Sequence, residues 1–226
     1  NRINAFQVYT GNGDEKKWVG GQQEGQEPGI LYLYQADGIY RSYDEIPANL
    51  VRKYGSRTYY GPEAWNKLTA EQQNATTNFP IQPGDTKFHD VNGDDVIDEF
   101  DKVKVGATSP RWTGGFNTTL RWKNFQLYGR FDYALGFWLY ENSGTQSTTP
   151  WFMGCYQGTY NTPTMYYDTW SESNPNAKYP RYLFADQNGK NNYIASTMFA
   201  YRGDYLAIRE ISLSYSLPES DRKSVV

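Results

Sequence analysis

The clearest regularity in the chain is a period of two that begins at Phe116. Phe116, Thr118, Leu120 and Trp122 alternate with Asn117, Thr119 and Arg121, and the alternation resumes after the turn-type pair Lys123-Asn124. Phe125, Leu127, Phe131, Tyr133, Leu135 and Phe137 then fall on one side, with Gln126, Tyr128, Arg130 and Asp132 on the other. Successive side chains of a strand point to opposite faces, so this pattern predicts a hairpin with one aromatic and aliphatic face and one polar face. Such a hairpin suits a soluble sandwich, whose apolar side is the core, or an outer-membrane barrel, whose apolar side meets lipid. Length favours the barrel: about 9–11 tilted residues cross the hydrocarbon, and the run from Asn124 to Phe137 exceeds that without a break. A tight turn followed by a long polar insert also matches the short inner turns and long outer loops of such barrels.

A third strand is predicted from Asp204 to Leu217, with Ile211, Leu213, Tyr215 and Leu217 apolar and Glu210, Ser212, Ser214 and Ser216 polar. Leu206 and Ile208 fall on the opposite phase. Two explanations stand open: a bulge near Arg209, or inward-pointing side chains beneath the loops. Upstream, Ile30 to Tyr34 reads as a strand continuing to Gly38-Ile-Tyr40. Residues 41–110 form a long insert with a short helix over Glu63 to Asn74, opened by Pro62, and residues 138–203 form a second insert dense in Tyr, Trp, Asn, Thr and Pro. Inserts of this length without regular structure are usually functional or disordered.

Composition agrees with β structure. Only 38% of the 226 residues are hydrophobic, aromatics reach 17%, tyrosine alone counts 21, and mean hydropathy is −0.80, unlike the leucine- and alanine-rich profile of helical domains. A net charge of −3 with scattered basic residues leaves no electrostatic footprint for nucleic acid, so no nucleic-acid partner is expected. One cysteine, Cys155, excludes an internal disulfide, and one histidine, His89, excludes most zinc sites. His89 reads as a solvated neighbour of an acidic loop. No apolar run approaches a transmembrane helix, and a chain that opens on Asn1 is expected to be a piece of something longer.

The acidic loop carries candidate metal chemistry. Counting from Asp90, oxygen ligands fall at positions 1 (Asp90), 3 (Asn92), 5 (Asp94), 9 (Asp98) and 12 (Asp101), with the Val96 carbonyl at 7, the offsets of a calcium loop. Seven acidic side chains against one lysine between Asp85 and Asp101 would repel unless solvated or bridged by a divalent cation. Asp95 replaces the usual glycine and Asp101 the usual glutamate, and extended sequence follows at Lys102-Val-Lys-Val105, so a structural Ca2+ is expected rather than a switching one.

Taken together, Tyr34-Gln-Ala-Asp-Gly-Ile-Tyr-Arg-Ser42, Pro83-Gly-Asp-Thr-Lys-Phe-His-Asp-Val-Asn-Gly-Asp-Asp-Val-Ile-Asp98, Lys123-Asn-Phe-Gln-Leu127 and Asp204-Tyr-Leu-Ala-Ile-Arg-Glu-Ile-Ser-Leu-Ser-Tyr-Ser-Leu-Pro218 resemble the SusC/RagA family of TonB-dependent outer-membrane transporters of Bacteroidetes. The motifs stand in the family's order from about Gly29 to Pro218. Asp95, Ala207 and Ser214 depart from its usual glycine, arginine and glycine. The resemblance implies an all-β fold: the later part of a 22-stranded transmembrane antiparallel β-barrel with long extracellular loops, to which residues 1–226 contribute a portion incomplete at both ends. It implies import of glycans or peptides across the outer membrane of a Gram-negative bacterium. Its implied partners are a SusD-like surface lipoprotein, the plug and other strands of the same transporter, TonB acting through the missing N-terminal part, and membrane lipid.

Aromatic rings beside amides suit sugar recognition, so Trp138, Tyr140, Trp151, Tyr156 and Trp170 are candidate substrate-binding residues. The same rings also pack loops and line membrane interfaces. The rival reading is a secreted calcium-stabilised glycan-binding or dockerin-like β module, which usually carries two such loops where this chain has one. Asp132, Glu141, Asp168 and Glu172 are acids without a measurable spacing, and no enzyme is expected.

Overall fold

The computed structural model describes residues 27, 29–140, 168–181, 192 and 194–218. The described strands in chain order are β1 (Ile30–Tyr34), β2 (Ala36–Ile39), β3 (Val51–Tyr54), β4 (Arg57–Tyr60), β5 (Asn78–Pro80), β6 (Thr86–Phe88), β7 (Val96–Ile97), β8 (Lys102–Ala107), β9 (Trp112–Trp122), β10 (Phe125–Leu135), β11 (Trp138–Tyr140), β12 (Ala200–Arg202) and β13 (Tyr205–Tyr215). Two short helices, α1 (Pro62–Asn66) and α2 (Ala70–Gln73), are the only α segments among the described residues. The chain divides into two compact units, residues 106–139 with 202–226 and residues 1–105 with 140–201.

The first of these units is a meander of three long strands in the order β13-β10-β9, all antiparallel. Lys123 and Asn124 form the two-residue turn between β9 and β10, and Lys123 takes φ 52°, the left-handed sign that twist-matched hairpin turns require. Phe125 pairs with Trp122, Leu127 with Leu120 and Phe131 with Phe116, so the apolar positions predicted from period two share one face. Phe116 and Phe131 stack at 4.8 Å between centroids, and Phe125 lies 4.7 Å from Tyr215.

The bulge is the correct one of the two explanations for the third strand. Arg130 pairs with Glu210 but Phe131 pairs with Ile208, so Arg209 is the extra residue. Its insertion restores Leu206 and Ile208 to the face of Ile211, Leu213 and Tyr215, opposite Tyr133, Phe131, Gly129, Leu127 and Phe125.

The second unit has a core of Tyr34, Tyr40, Ile46, Leu50, Tyr59, Ile81, Phe88, Ile97 and Ile194. Its largest sheet runs β5-β4-β3-β7: β3 and β4 form an antiparallel hairpin, while β5 and β7 join as parallel edges. The region 41–110 is therefore far more regular than the single helix and loop expected of it. The helix expected over Glu63 to Asn74 is broken in two, because Thr69 starts a new turn: its Oγ1 accepts from the Gln72 N–H, and Gln72 Oε1 accepts from the Thr69 N–H at 2.8 Å.

A buried polar network fastens this unit. Arg52 is enclosed, its guanidinium 4.5 Å from the Tyr59 ring centre and 5.0 Å from that of Phe88, and burial lowers its pKa against the opposing pull of Asp85. Asp85 is fully enclosed and accepts from Arg181 Nε at 2.7 Å, while Arg181 also donates to Gln82 at 2.7 Å. Asn192 Oδ1 accepts the Thr86 N–H at 2.8 Å. These bonds tie residues about a hundred positions apart in sequence, and each satisfies a buried charge or backbone donor that would otherwise cost roughly 1–3 kcal/mol or more.

Candidate functional site

The three long strands present two chemically distinct faces. On the apolar face Trp122 is 66% exposed, Leu120 61%, Ile211 64% and Leu213 70%, and no second layer covers them among the described residues. Three strands spaced ~4.8 Å apart and ten steps of ~3.4 Å give roughly 500 Å2 for this face of the sheet, the size of the largest patches on soluble monomers, which are often functional. Rings close both ends: Trp122, Phe125 and Tyr215 beside the turn, Trp112 at the far end of β9. Ten residue steps from Trp112 to Trp122 at ~3.4 Å, tilted by ~45°, span ~24 Å of height, which matches the ~25 Å apolar band between the aromatic girdles of membrane barrels. Lys123 Nζ sits 4.9 Å from the Trp122 ring centre, a cation at the polar edge of the band.

The opposite face is polar. Arg209, displaced by the bulge, makes a bidentate pair with Asp132, Nη2 to Oδ2 at 2.9 Å and Nε to Oδ1, and the Tyr205 hydroxyl donates to Asp132 at 3.3 Å. Arg130 and Glu210 are direct cross-strand partners one step away. The bulge thus places one more ionisable side chain on this face than regular pairing would.

The acidic loop holds its shape through its own side chains. Asp90 accepts from the Gly93 and Asp95 N–H groups at 2.7 and 2.8 Å, Asn92 from Asp94 at 3.1 Å, and Asp94 from Val96 at 2.9 Å. Asp95 takes φ 61° at the position where a calcium loop prefers glycine. Asp98 caps the short turn Glu99–Asp101. Asp101 is fully enclosed, accepts from Val91 and Asp98 at 2.8 Å each, and has its pKa raised by burial against those two donors. The six predicted ligands therefore occupy one continuous loop, with Asp90 half-buried, Asn92 and Asp94 exposed and Val96 in β7. Among the described residues no three acidic, histidine or cysteine side chains gather closely enough to hold a metal as they stand.

The candidate substrate aromatics are placed apart from one another. Trp138 lies in β11 against Gly106, where a Cβ would come within 2.5 Å of its ring, and Arg202 stacks on it at 5.4 Å. Tyr140 is half-buried and its hydroxyl is pushed up to about 12 by burial, against a bond to the Ser196 backbone. Trp170 covers Gly84, whose φ of 86° and absent Cβ allow the ring to approach. Trp151 and Tyr156 lie outside the described residues.

Sequence reasoning missed a pair at His89. In β2–β6 the pairing slips at Asp37, between Ala36 opposite Phe88 and Gly38 opposite Lys87. The displaced Asp37 bonds His89 Nδ1 at 2.8 Å and Gln35 Nε2 at 2.9 Å, so His89 is partnered rather than merely solvated. The only sequence signal was Asp37-Gly38, a dipeptide that favours a kink.

No family model matches the chain. Among curated proteins it is similar to TonB-dependent receptor P3 of Formosa agariphila, 29% identical over 146 residues, which are 65% of this chain and 13% of that protein. It is also similar to TonB-dependent receptor P26 of the same organism, 25% identical over 139 residues, 62% of this chain and 13% of that protein. The matched stretch is thus about an eighth of the length of either relative. A solved structure of the RagAB peptide importer in the closed-closed state aligns over 88% of this chain and 17% of its own, at 18% identity and a TM-score of 0.44. Both sequence matches are TonB-dependent receptors, the kind of protein that the motifs resemble, so this chain is similar to a stretch of such receptors.

Proposed function

We propose that the chain is a late stretch of a 22-stranded β-barrel that imports glycans or peptides across the outer membrane of a Gram-negative bacterium. In this reading the barrel is energised by TonB through parts outside the chain, and a SusD-like lipoprotein closes over it. β9, β10 and β13 cross the bilayer with Leu120, Leu127 and Leu213 toward lipid and Asp132, Arg209 and Glu210 toward the lumen. The observation that carries the reading is the uncovered apolar face bounded by rings about one hydrocarbon thickness apart. The inserts leave from the strand ends opposite the Lys123-Asn124 turn, so they belong to the extracellular side. Calcium in the Asp90–Asp101 loop is a separate part of the proposal. The loop supplies hard oxygen donors, and a bound ion would screen their mutual repulsion and hold the loop rigid.

Single cysteines in full-length receptor lacking Cys155 test the topology in intact cells. Ser173→Cys should react with a membrane-impermeant maleimide, and Asn124→Cys should react only after the outer membrane is opened. Equal labelling of both in intact cells would overturn the reading.

A further inference from the structure

We propose that the recess beside the Asp37 bulge is a subsite for the anionic group of an acidic oligosaccharide. The recess has a volume of about 500 Å3 and is walled by Asp37, Arg41, Glu45, Lys87, Asn176 and Lys178. Its size suits roughly a disaccharide. Both anions on its wall are already engaged: Asp37 binds Gln35 and His89, and Glu45 Oε2 accepts the Arg41 backbone N–H at 3.0 Å. The three cations are not. Among the described residues no carboxylate lies within ion-pair distance of the Arg41 guanidinium, Lys87 Nζ or Lys178 Nζ, and Lys178 rests only on the Tyr179 ring at 5.2 Å.

Three cations without an ion-pair partner among the described residues, in one cavity of a chain whose net charge is −3, form a local attraction for a carboxylate or sulfate, and the concave wall strengthens it. Asn176 and Glu45 add amide and carboxylate partners for sugar hydroxyls. Among the described residues Ile39 and Ala177 are the only apolar side chains on the wall. The wall lacks the apolar pocket that anchors peptide side chains and is lined mainly by charged and amide groups suited to sugar hydroxyls, so a saccharide fits better. The bulge shapes this wall: it displaces Asp37, which bonds His89 rather than forming an ion pair with Lys87.

The proposal deepens the importer reading and rests on it for the source of the ligand. The full-length receptor carrying this chain, purified in detergent, would be titrated calorimetrically with digalacturonate and with a sulfated disaccharide. A neutral disaccharide and an acidic tetrapeptide serve as comparisons. At least one of the two acidic sugars should bind, about tenfold or more tighter than the neutral one, and binding should weaken as salt rises from about 50 to about 500 mM. Lys87→Gln with Lys178→Gln should lose about tenfold or more, and exposed Lys178→Gln alone should lose part of that without changing the melting temperature. Absence of binding by both acidic sugars, equal binding of the neutral sugar, preference for the tetrapeptide, or unchanged affinity in folded Lys178→Gln would each overturn the subsite. None of these outcomes alters the labelling pattern of Ser173→Cys and Asn124→Cys, so the two readings fail separately.

Discussion

Asp37 shows how one displaced residue acquires a pH-dependent role. Burial pushes its carboxyl up, but the Gln35 amide, the His89 ring and nearby Lys87 outweigh that and hold it below the usual aspartate range. A depressed carboxylate stabilises the folded state above its unfolded value, near pH 4, and that contribution is lost as pH falls through the lowered folded value. The protection of residues 36–46 against hydrogen exchange, relative to the unstructured rate at the same pH, should therefore fall below about pH 4 in the full-length receptor, and Asp37→Asn should flatten that acid slope. The acidic loop makes a second residue-scale prediction. Asp90 accepts two backbone donors, so Asp90→Ala frees the Gly93 and Asp95 N–H groups as well as removing a candidate ligand. If calcium binds, terbium luminescence should be lost in Asp90→Ala with Asp94→Ala while exchange in β9, β10 and β13 stays unchanged. Terbium binding that persists at full affinity in the double variant would remove calcium from this loop.

At the scale of elements, the long strands were legible and the unit of short strands was not. An 11-residue strand repeats a period of two often enough to be read, and the β9–β10 hairpin and β13 from Glu210 onward follow the predicted alternation. The phase error at Leu206 and Ile208 was visible too, but its cause depends on cross-strand pairing, which sequence does not display. The strands of the other unit run two to six residues, too short to establish a period, and the bonds that fasten them join Arg181 to Asp85 and Asn192 to Thr86. The candidate aromatics were legible as residue types, whereas the packing of Trp138 and Trp170 depends on glycines 32 and 86 positions upstream of them. The two faces of β13 support a paired test. With the apolar face toward lipid as proposed, Leu213→Arg should cost roughly 2–4 kcal/mol of barrel stability, falling toward ~0–1 near the interface, while Ser212→Arg on the opposite, polar face should cost much less. Deleting Arg209 makes Ile208 and Glu210 consecutive, so Leu206 and Ile208 keep the apolar face; the loss falls on Asp132, whose bidentate partner is gone, and should be smaller than that of Leu213→Arg. Urea unfolding of the receptor refolded into bilayers measures all three, and equal loss from Leu213→Arg and Ser212→Arg would mean the faces are assigned wrongly.

For the whole molecule the decisive quantity is depth. If the sheet spans a bilayer, Trp112 and Trp122 sit at opposite interfaces with ~12 Å between each ring and the midplane, half of the ~24 Å height. Lipids brominated high on the acyl chain should then quench both indoles more strongly than lipids brominated near the terminal methyl. A tryptophan placed midway, at Thr118, should show the reverse order, because its partner Gly129 lies at the centre of β10 and its face is the apolar one. The measurement needs variants of the full-length receptor in which one of these three positions carries the only tryptophan of the sheet. A soluble module would give no dependence on bromine depth at any of them. A sheet lying flat on the membrane would quench all three alike, so only a transverse sheet produces the reversal at position 118.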